Sequence, residues 1–317
     1  MSLIEDNQVS VIVQGPIRYT RQGYNLTQLC VESVRRLLPG AELILSTWSD
    51  SELSGIDADE FVMSDDPGPL PRPNHRDSNV NRQITSTCRG LIRAKRPYSL
   101  KLRSDCVLYH TGFLGLHQHT RRALGYEVFK EPITATSIYF KNPQKTPYLF
   151  HVGDIFHFGL TQDLINLWDI PHVPRAYISE WGSYCKKPIV NFTGGSFFRY
   201  IEEQYIWLSC LKKNGYDVDI DYPWHMTEKL LQISECSILG NFVICEIDEI
   251  GLCVPWSILS FGINKIYSQE EVERLTLLYG SINDAGIKRR IRQVILNQRI
   301  RIPLKYFAYL LNKIGVF

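Results

Sequence analysis

The chain has 317 residues, 44% hydrophobic and 21% charged, with a formal net charge of +2. That length can bury one large α/β core, or a domain plus an extension, and so small a charge gives no reason to expect nucleic acid or another bulk polyelectrolyte as partner. The charge is unevenly placed: residues 288–317 hold eight Lys/Arg and no Asp/Glu, which leaves residues 1–287 with 27 basic against 33 acidic side chains. A basic tail on an acidic body points to an anionic surface as a partner.

The N-terminus, MSLIEDNQ, carries acidic residues and no apolar core, so no signal peptide is expected. VSVIVQGP (9–16) then reads as a buried parallel strand entering a loop. NLTQLCVESVRRLL (25–38) places Leu26, Leu29, Cys30, Ser33, Val34 and Leu37 on one helical face and stops at Pro39-Gly40; AELILSTW (41–48) is a second strand. Together they make a βαβ unit with a right-handed crossover. Residues 64–78, with four prolines and a glycine, are loop, and NVNRQITSTCRGLIRAKR (79–96) is a helix opened by Asn79 as N-cap. YSLKLRSDCVL (98–108) reads as a strand interrupted by Arg103-Ser104-Asp105. Further on, HVGDIFHFG (151–159) reads as a strand, TQDLINLWDI (161–170) as a helix, YIEEQYIWLSCLKKNG (200–215) as a helix and YDVDI (216–220) as a strand; residues 227–280 give no clear pattern. No apolar run approaches the ~18 residues that span a bilayer.

The fold class expected is α/β: a Rossmann-type mixed sheet flanked by helices, with a C-terminal helical extension. Residues 1–225 would bind ligand, 226–287 complete the domain, and 288–317 form the basic amphipathic tail, read as a pair of interfacial helices split at Pro303. In open sheets of this kind ligands sit beyond the carboxyl ends of the strands. Three polar clusters fall there: Gln14-Gly15-Pro16, Ser46-Thr47-Trp48 and Arg103-Ser104-Asp105.

A lone acid in a strand is costly without a partner. Asp105 either pairs with Arg103 or faces a cleft, where it can hold a divalent cation. Lys101 and Arg103, two apart on a strand, would present charge to phosphate on the same face. Asn79, Asn81, Arg82 and Gln83 put donors at a helix N-terminus, where anions bind well. Asp154 in an otherwise apolar strand is paired or poised, and His157 beside it reads as a satisfied core residue. Glu202-Glu203 open a helix, where acids suit the helix dipole, and a general base needs one of them to reach an incoming hydroxyl. The eight cysteines (Cys30, Cys88, Cys106, Cys185, Cys210, Cys236, Cys245 and Cys253) include no CxxC, so free thiols are expected rather than a zinc site or a disulfide framework. No GxxxxGK[ST], GxGxxG, GxSxG or HExxH occurs.

VIVQGPI, AELILSTW, the DDPG loop, NVNRQI and LKLRSD, in that order, resemble the WavE lipopolysaccharide-synthesis family of bacterial proteins; the likeness continues through GDIFHFG and EEQYIWL. The resemblance implies a glycosyltransferase with a GT-A-like fold that builds lipopolysaccharide or another surface glycan from a nucleotide sugar. It places Gln14, Gly15, Pro16, Thr47 and Trp48 around the nucleotide, with Asn79, Asn81, Arg82, Gln83, Lys101, Arg103, Ser104 and Asp105 around ribose, diphosphate and sugar. Glu203 stands where such enzymes carry an acidic base, with Asp154 as the second candidate. Arg-Ser-Asp stands where they carry Asp-x-Asp, so Asp105 is the one acid left for Mn²⁺ or Mg²⁺. A lipid-linked acceptor and a site on the cytoplasmic face of the inner membrane complete the expectation. Two other classes stay open: a sugar-phosphate nucleotidyltransferase, and a non-catalytic nucleotide- or glycan-binding module.

Overall fold

The computed structural model describes residues 4–72, 76–120, 123–178, 198–281 and 284–313, with residues 302–303 and 305–313 as backbone only. The chain runs through β1 (Val9–Gln14), α1 (Leu26–Leu37), β2 (Glu42–Trp48), β3 (Glu60–Ser64), α2 (Val80–Arg93) and β4 (Tyr98–Arg103). A two-residue β5 (Val107–Leu108), α3 (Gly112–Leu116), β6 (Ile133–Thr136), β7 (Phe156–Leu160), α4 (Thr161–Trp168) and α5 (Arg175–Ile178) follow. The remainder is α6 (Glu202–Lys213), α7 (Glu228–Asn241), β8 (Phe242–Cys245), α8 (Ile247–Ile250), β9 (Leu252–Cys253), α9 (Trp256–Gly262), α10 (Gln269–Gly280) and α11 (Asp284–Lys313).

Seven strands form one sheet in the order β3-β2-β1-β4-β7-β6-β8. β3, β2, β1 and β4 are parallel neighbours; β7 runs antiparallel to both β4 and β6, and β8 is parallel to β6. β1 and β2 are buried at every residue, as strands covered on both faces must be. Val9, Val11 and Val13 point to the face covered by α1 through Cys30, Val31 and Val34, while Ile12 points to the face covered by α2 and α4 through Ile84, Leu91 and Leu164. α2 lies very close: a Cβ on Gly90 would sit 2.5 Å from Ile12 Cγ2 and 3.0 Å from Ser46 Cβ.

The chain leaves β1 toward β2 and β3, then returns through α2 to β4 on the other side of β1. The direction of winding therefore reverses between β1 and β4, and the carboxyl ends of these two strands open a crevice.

Several elements depart from the sequence reading. Residues 216–220 are not a strand, because Asp219 is held by Arg199, Lys212 and Tyr200 instead of a sheet neighbour. Only residues 156–159 of the 151–159 segment pair in the sheet, as part of β7, so Asp154 lies in the loop before it. The C-terminal segment is one helix that continues through Pro303, with no break there. Its first half is anchored: Ile291, Val294 and Gln298 are buried, and Arg290 pairs at 2.8 Å with Glu235 of α7, which has no solvent exposure. Among the described residues no helix is long and apolar enough to cross a membrane, and Cys30, Cys88, Cys106, Cys210, Cys236, Cys245 and Cys253 are free thiols.

Candidate functional site

A cavity of about 410 Å³ opens at the β1/β4 crevice, lined by residues of the β1 turn, the end of β2, the start of α2 and the end of β4. Ten residues singled out in the sequence meet on its wall: Gln14, Gly15, Pro16, Trp48, Asn79, Arg82, Gln83, Arg103, Ser104 and Asp105. Backbone and side-chain bonds fix its rim. The Ser104 amide donates to Gln14 O (3.0 Å) and its hydroxyl to Pro16 O (2.7 Å), tying the β1 turn to β4. Gly15 has φ +116° and a Cβ there would meet Ser104 Oγ at 3.2 Å, so glycine suits this turn. Ser86 of α2 donates to Gln14 Oε1 (2.7 Å), which sets the amide of Gln14.

Asp105, read from the sequence as an acid inside a strand, lies in the turn just after β4, where it is paired and faces the cavity as well. Arg103 Nε and Nη2 donate to the two oxygens of Asp105 at 2.9 and 2.8 Å. Burial alone would push the Asp105 carboxyl up; the guanidinium reverses that and holds it below the usual carboxylate range. Asp105 also feels the charge of Arg18 across the cavity. Arg82 is held by Asp66 (Nε to Oδ1, 2.8 Å) and by Asn79 Oδ1 (2.9 Å). Asn79 thus spends its side chain on Arg82 and, contrary to the sequence reading, makes no capping bond to α2. Arg18, exposed on the β1 turn, has no side-chain ion-pair partner among the described residues. Three guanidinium groups therefore face the cavity against two carboxylates, Asp66 and Asp105.

Five predicted residues lie off the cavity wall: Asn81, Thr47 and Lys101, and the two acids Asp154 and Glu203. Asn81 is buried and its amide bonds both Val173 N (2.7 Å) and Val173 O (3.2 Å), fastening α2 to the loop after α4. Thr47 is buried beneath the rim with its hydroxyl on Ser51 (3.0 Å). Lys101 is buried in the sheet, donates to Asp154 O and stacks its ammonium 4.9 Å from the Trp168 ring. It shares the face of Arg103, one pleat deeper, where desolvation pulls its pKa down to about 8. His157 is the satisfied core residue expected: Nε2 donates to Gly153 O (2.8 Å), and Nδ1 accepts from the Trp168 indole (3.1 Å).

Behind Gln83 stands a second, acidic group. Gln83 donates to Asp154 Oδ2 (2.6 Å), linking the cavity wall to Asp154. Glu203, at the first turn of α6, has a side chain only 12% exposed and sits 3.7 Å from His151 Nε2. Burial, then the nearby Asp154 charge, then Glu202 push the Glu203 carboxyl well above the ordinary value of 4.5. His151 is kept neutral, its pKa pulled down to about 3 by burial and by Lys141, while Nδ1 donates to Tyr139 O (2.7 Å). Glu202 is taken up by Arg72 at 2.9 Å, so among the described residues Glu203 is the one of the pair with no cation at contact distance. Neither Glu203 nor Asp154 lines the cavity; Asp154 reaches its wall through Gln83.

Arg18, Asp66 and Ser86 line the cavity without having been singled out. Arg18 lies in a loop whose return to the strand ends no local pattern encodes, and Asp66 lies in the DDPG loop, quoted for the resemblance but given no role; Ser86, three residues past Gln83, was legible only once the face of α2 was known.

A family model described as WavE lipopolysaccharide synthesis matches residues 9–305 of the chain. Among solved structures, that of 4-diphosphocytidyl-2C-methyl-D-erythritol synthase from Anaerococcus prevotii DSM 20548 is similar at 10% identity and a TM-score of 0.35, over 86% of this chain and 98% of that one. So loose a likeness says nothing about the reaction. No curated protein matches.

Proposed function

Because the chain belongs to the WavE lipopolysaccharide-synthesis family, we propose that it is a glycosyltransferase of GT-A-like architecture. It moves a sugar from a nucleotide donor to a hydroxyl of a lipopolysaccharide or other surface-glycan acceptor, with inversion at the anomeric carbon. One observation carries the reading: a cavity at the switch point of the sheet, faced by Arg18, Arg82 and Arg103, with the raised carboxyl of Glu203 behind Gln83 and Asp154.

In this reading the diphosphate lies against the three guanidinium groups and the N-terminus of α2, and the nucleoside lies along Gln14–Pro16 and Trp48. Glu203 takes the acceptor hydroxyl proton as that oxygen attacks C1. The bond from C1 to the phosphate oxygen breaks with its electron pair on the nucleoside diphosphate, whose new charge the arginines meet. Positioning and preorganised charge supply most of the rate. A divalent cation at Asp105 does not fit the residues present. Both oxygens of Asp105 are engaged by Arg103, and Asp66, the other carboxylate of the wall, is engaged by Arg82. Arg103 holds the place a cation would take, so charge neutralisation falls to arginine.

Incubation with a panel of sugar nucleotides tests the proposal. A glycosyltransferase releases free nucleoside diphosphate, faster with a glycan acceptor present. A nucleotidyltransferase turns over pyrophosphate instead, and a binding module releases neither; either result overturns the proposal.

The exposed side of α11 supports membrane-surface docking at the lipid-linked acceptor. Lys288, Arg289, Arg292, Arg299 and Arg301 are exposed there beside Leu296, Ile300 and Leu304. Cations with interleaved aliphatics suit an anionic interface on the cytoplasmic side, where nucleotide sugars are made.

A further inference from the structure

His117, His119 and Glu131 bring one ligand atom each to within 4.8 Å of one another. They flank the segment 117–132, which joins α3 to β6 without regular secondary structure among its described residues. His117 Nε2 lies 3.1 Å from Glu131 Oε2, and His119 Nδ1 lies 3.4 Å from Oε1 of the same carboxylate. Ligands at zinc–nitrogen and zinc–oxygen bond lengths on a tetrahedron stand about 3.3 Å apart; the two short separations go to different oxygens of the one carboxylate, and from mutual separations within 4.8 Å the ligand atoms draw together to enclose an ion.

The surroundings are those of a built site. His117 Nδ1 is bonded to Thr134 Oγ1 of β6 (3.1 Å), which orients the ring so that Nε2 faces the carboxylate. Asp163 of α4 accepts from the backbone amides of Lys130 and Glu131, both at 2.9 Å, fixing the chain that carries the acid. Phe158 and Tyr98 pack edge-on against the His117 ring at 5.3 and 5.7 Å, giving a dry wall. Side-chain exposure rises from 0% at His117 through 14% at Glu131 to 32% at His119, which gives an ion a route in from solvent.

We infer that His117, His119 and Glu131 form a site for a divalent ion of the zinc class, with a water in the fourth position. The ion staples the two ends of the 117–132 connection to each other, beside Thr134 of β6, and so closes a loop whose described residues make no strand pairing. It has no part in the proposed transfer. Tyr98 and Arg103 are the opposite ends of β4, about 17 Å apart at strand spacing, and the cavity is at the Arg103 end.

Cobalt titration of the full, chelator-stripped protein tests this, since tetrahedral Co²⁺ has intense visible bands. One equivalent of Co²⁺ gives those bands, Zn²⁺ displaces it, and Zn²⁺ raises the unfolding temperature. Glu131→Gln and His119→Asn each abolish the bands and the temperature rise, and Thr134→Val weakens zinc affinity by ~10–100-fold. His119→Asn, at the exposed end, keeps the test open should Glu131→Gln not fold. Absence of tetrahedral bands in the wild type, or their persistence in both ligand variants, overturns the inference. The readout is metal binding, so neither result bears on sugar transfer.

Discussion

Arg103 and Asp105 each do two things: they neutralise one another and both present an edge to the cavity. Removing one partner of a largely buried pair leaves the other uncompensated, at a cost of about 3–5 kcal/mol, while replacing both by apolar groups costs much less. Arg103→Met should therefore unfold at clearly lower denaturant than Arg103→Met/Asp105→Leu, and both should lose diphosphate binding. Equal stability of the two variants would show that the pair is not a structural unit. Glu203 poses the opposite balance. Its folded pKa lies above the ordinary 4.5, so the stability tied to its proton is complete below that value and lost as pH rises through the folded pKa. Glu203→Gln should thus raise the unfolding temperature at pH 8 and change it little at pH 4, while turnover falls by at least ~100-fold with donor binding intact. Asp154→Asn removes a neighbouring negative charge, so the acidic limb of the pH–rate profile should move to lower pH. That Asp105 stands in an unusual place was legible from the break it makes in an apolar segment, although the segment ends as a strand at Arg103. That it would be paired and cavity-facing at once was not, because a two-residue spacing fits either alone.

α2 is the element on which the candidate site depends most, since it carries Arg82, Gln83 and Ser86 and presses on β1 and β2 at Gly90. Gly90→Ala forces Cβ into Ile12 and Ser46, an overpacking that should cost about 1–3 kcal/mol. By lifting the helix it should also weaken nucleotide binding. A stability loss with unchanged binding would show that the helix start is held independently, for example by Asn81 on Val173. β1, β2 and β4, with α1 and α2, were readable in the sequence because each is a short apolar run or a 3.6-residue pattern closed by Gly, Pro or polar residues. β3, β6 and β8 were not, being only four or five residues long and lying in mixed surroundings. Residues 216–220 show the reverse error: their alternation suits a strand, but the acid that alternates is spent on Arg199, Lys212 and Tyr200.

At the scale of the whole molecule, α11 is both part of the body and a surface. Arg290 answers a fully buried Glu235, which also accepts from Tyr279, so Arg290→Met should destabilise by about 3–5 kcal/mol. Deleting residues 288–317 would therefore confuse unfolding with loss of membrane binding. Replacing Lys288, Arg289 and Arg292 by Gln isolates the surface role. That variant should keep its unfolding temperature and sediment less with anionic liposomes, and equal sedimentation would remove the membrane reading. The basic tail was visible in the sequence from charge alone, but its attachment was not, because one buried arginine among eight cations carries no local mark. The account as a whole rests on the cavity between β1 and β4 being the seat of a donor diphosphate. Calorimetric titration of nucleoside diphosphate into the wild type and into Arg18→Ala is the most direct check, since Arg18 is exposed, lacks an ion-pair partner among the described residues and can be removed without disturbing the core. The account predicts that the diphosphate binds much more tightly than the bare nucleoside and that Arg18→Ala loses about 10–100-fold, the scale of a hydrogen bond to a charged group. Equal affinity for nucleoside and nucleoside diphosphate, unchanged by Arg18→Ala, would contradict it.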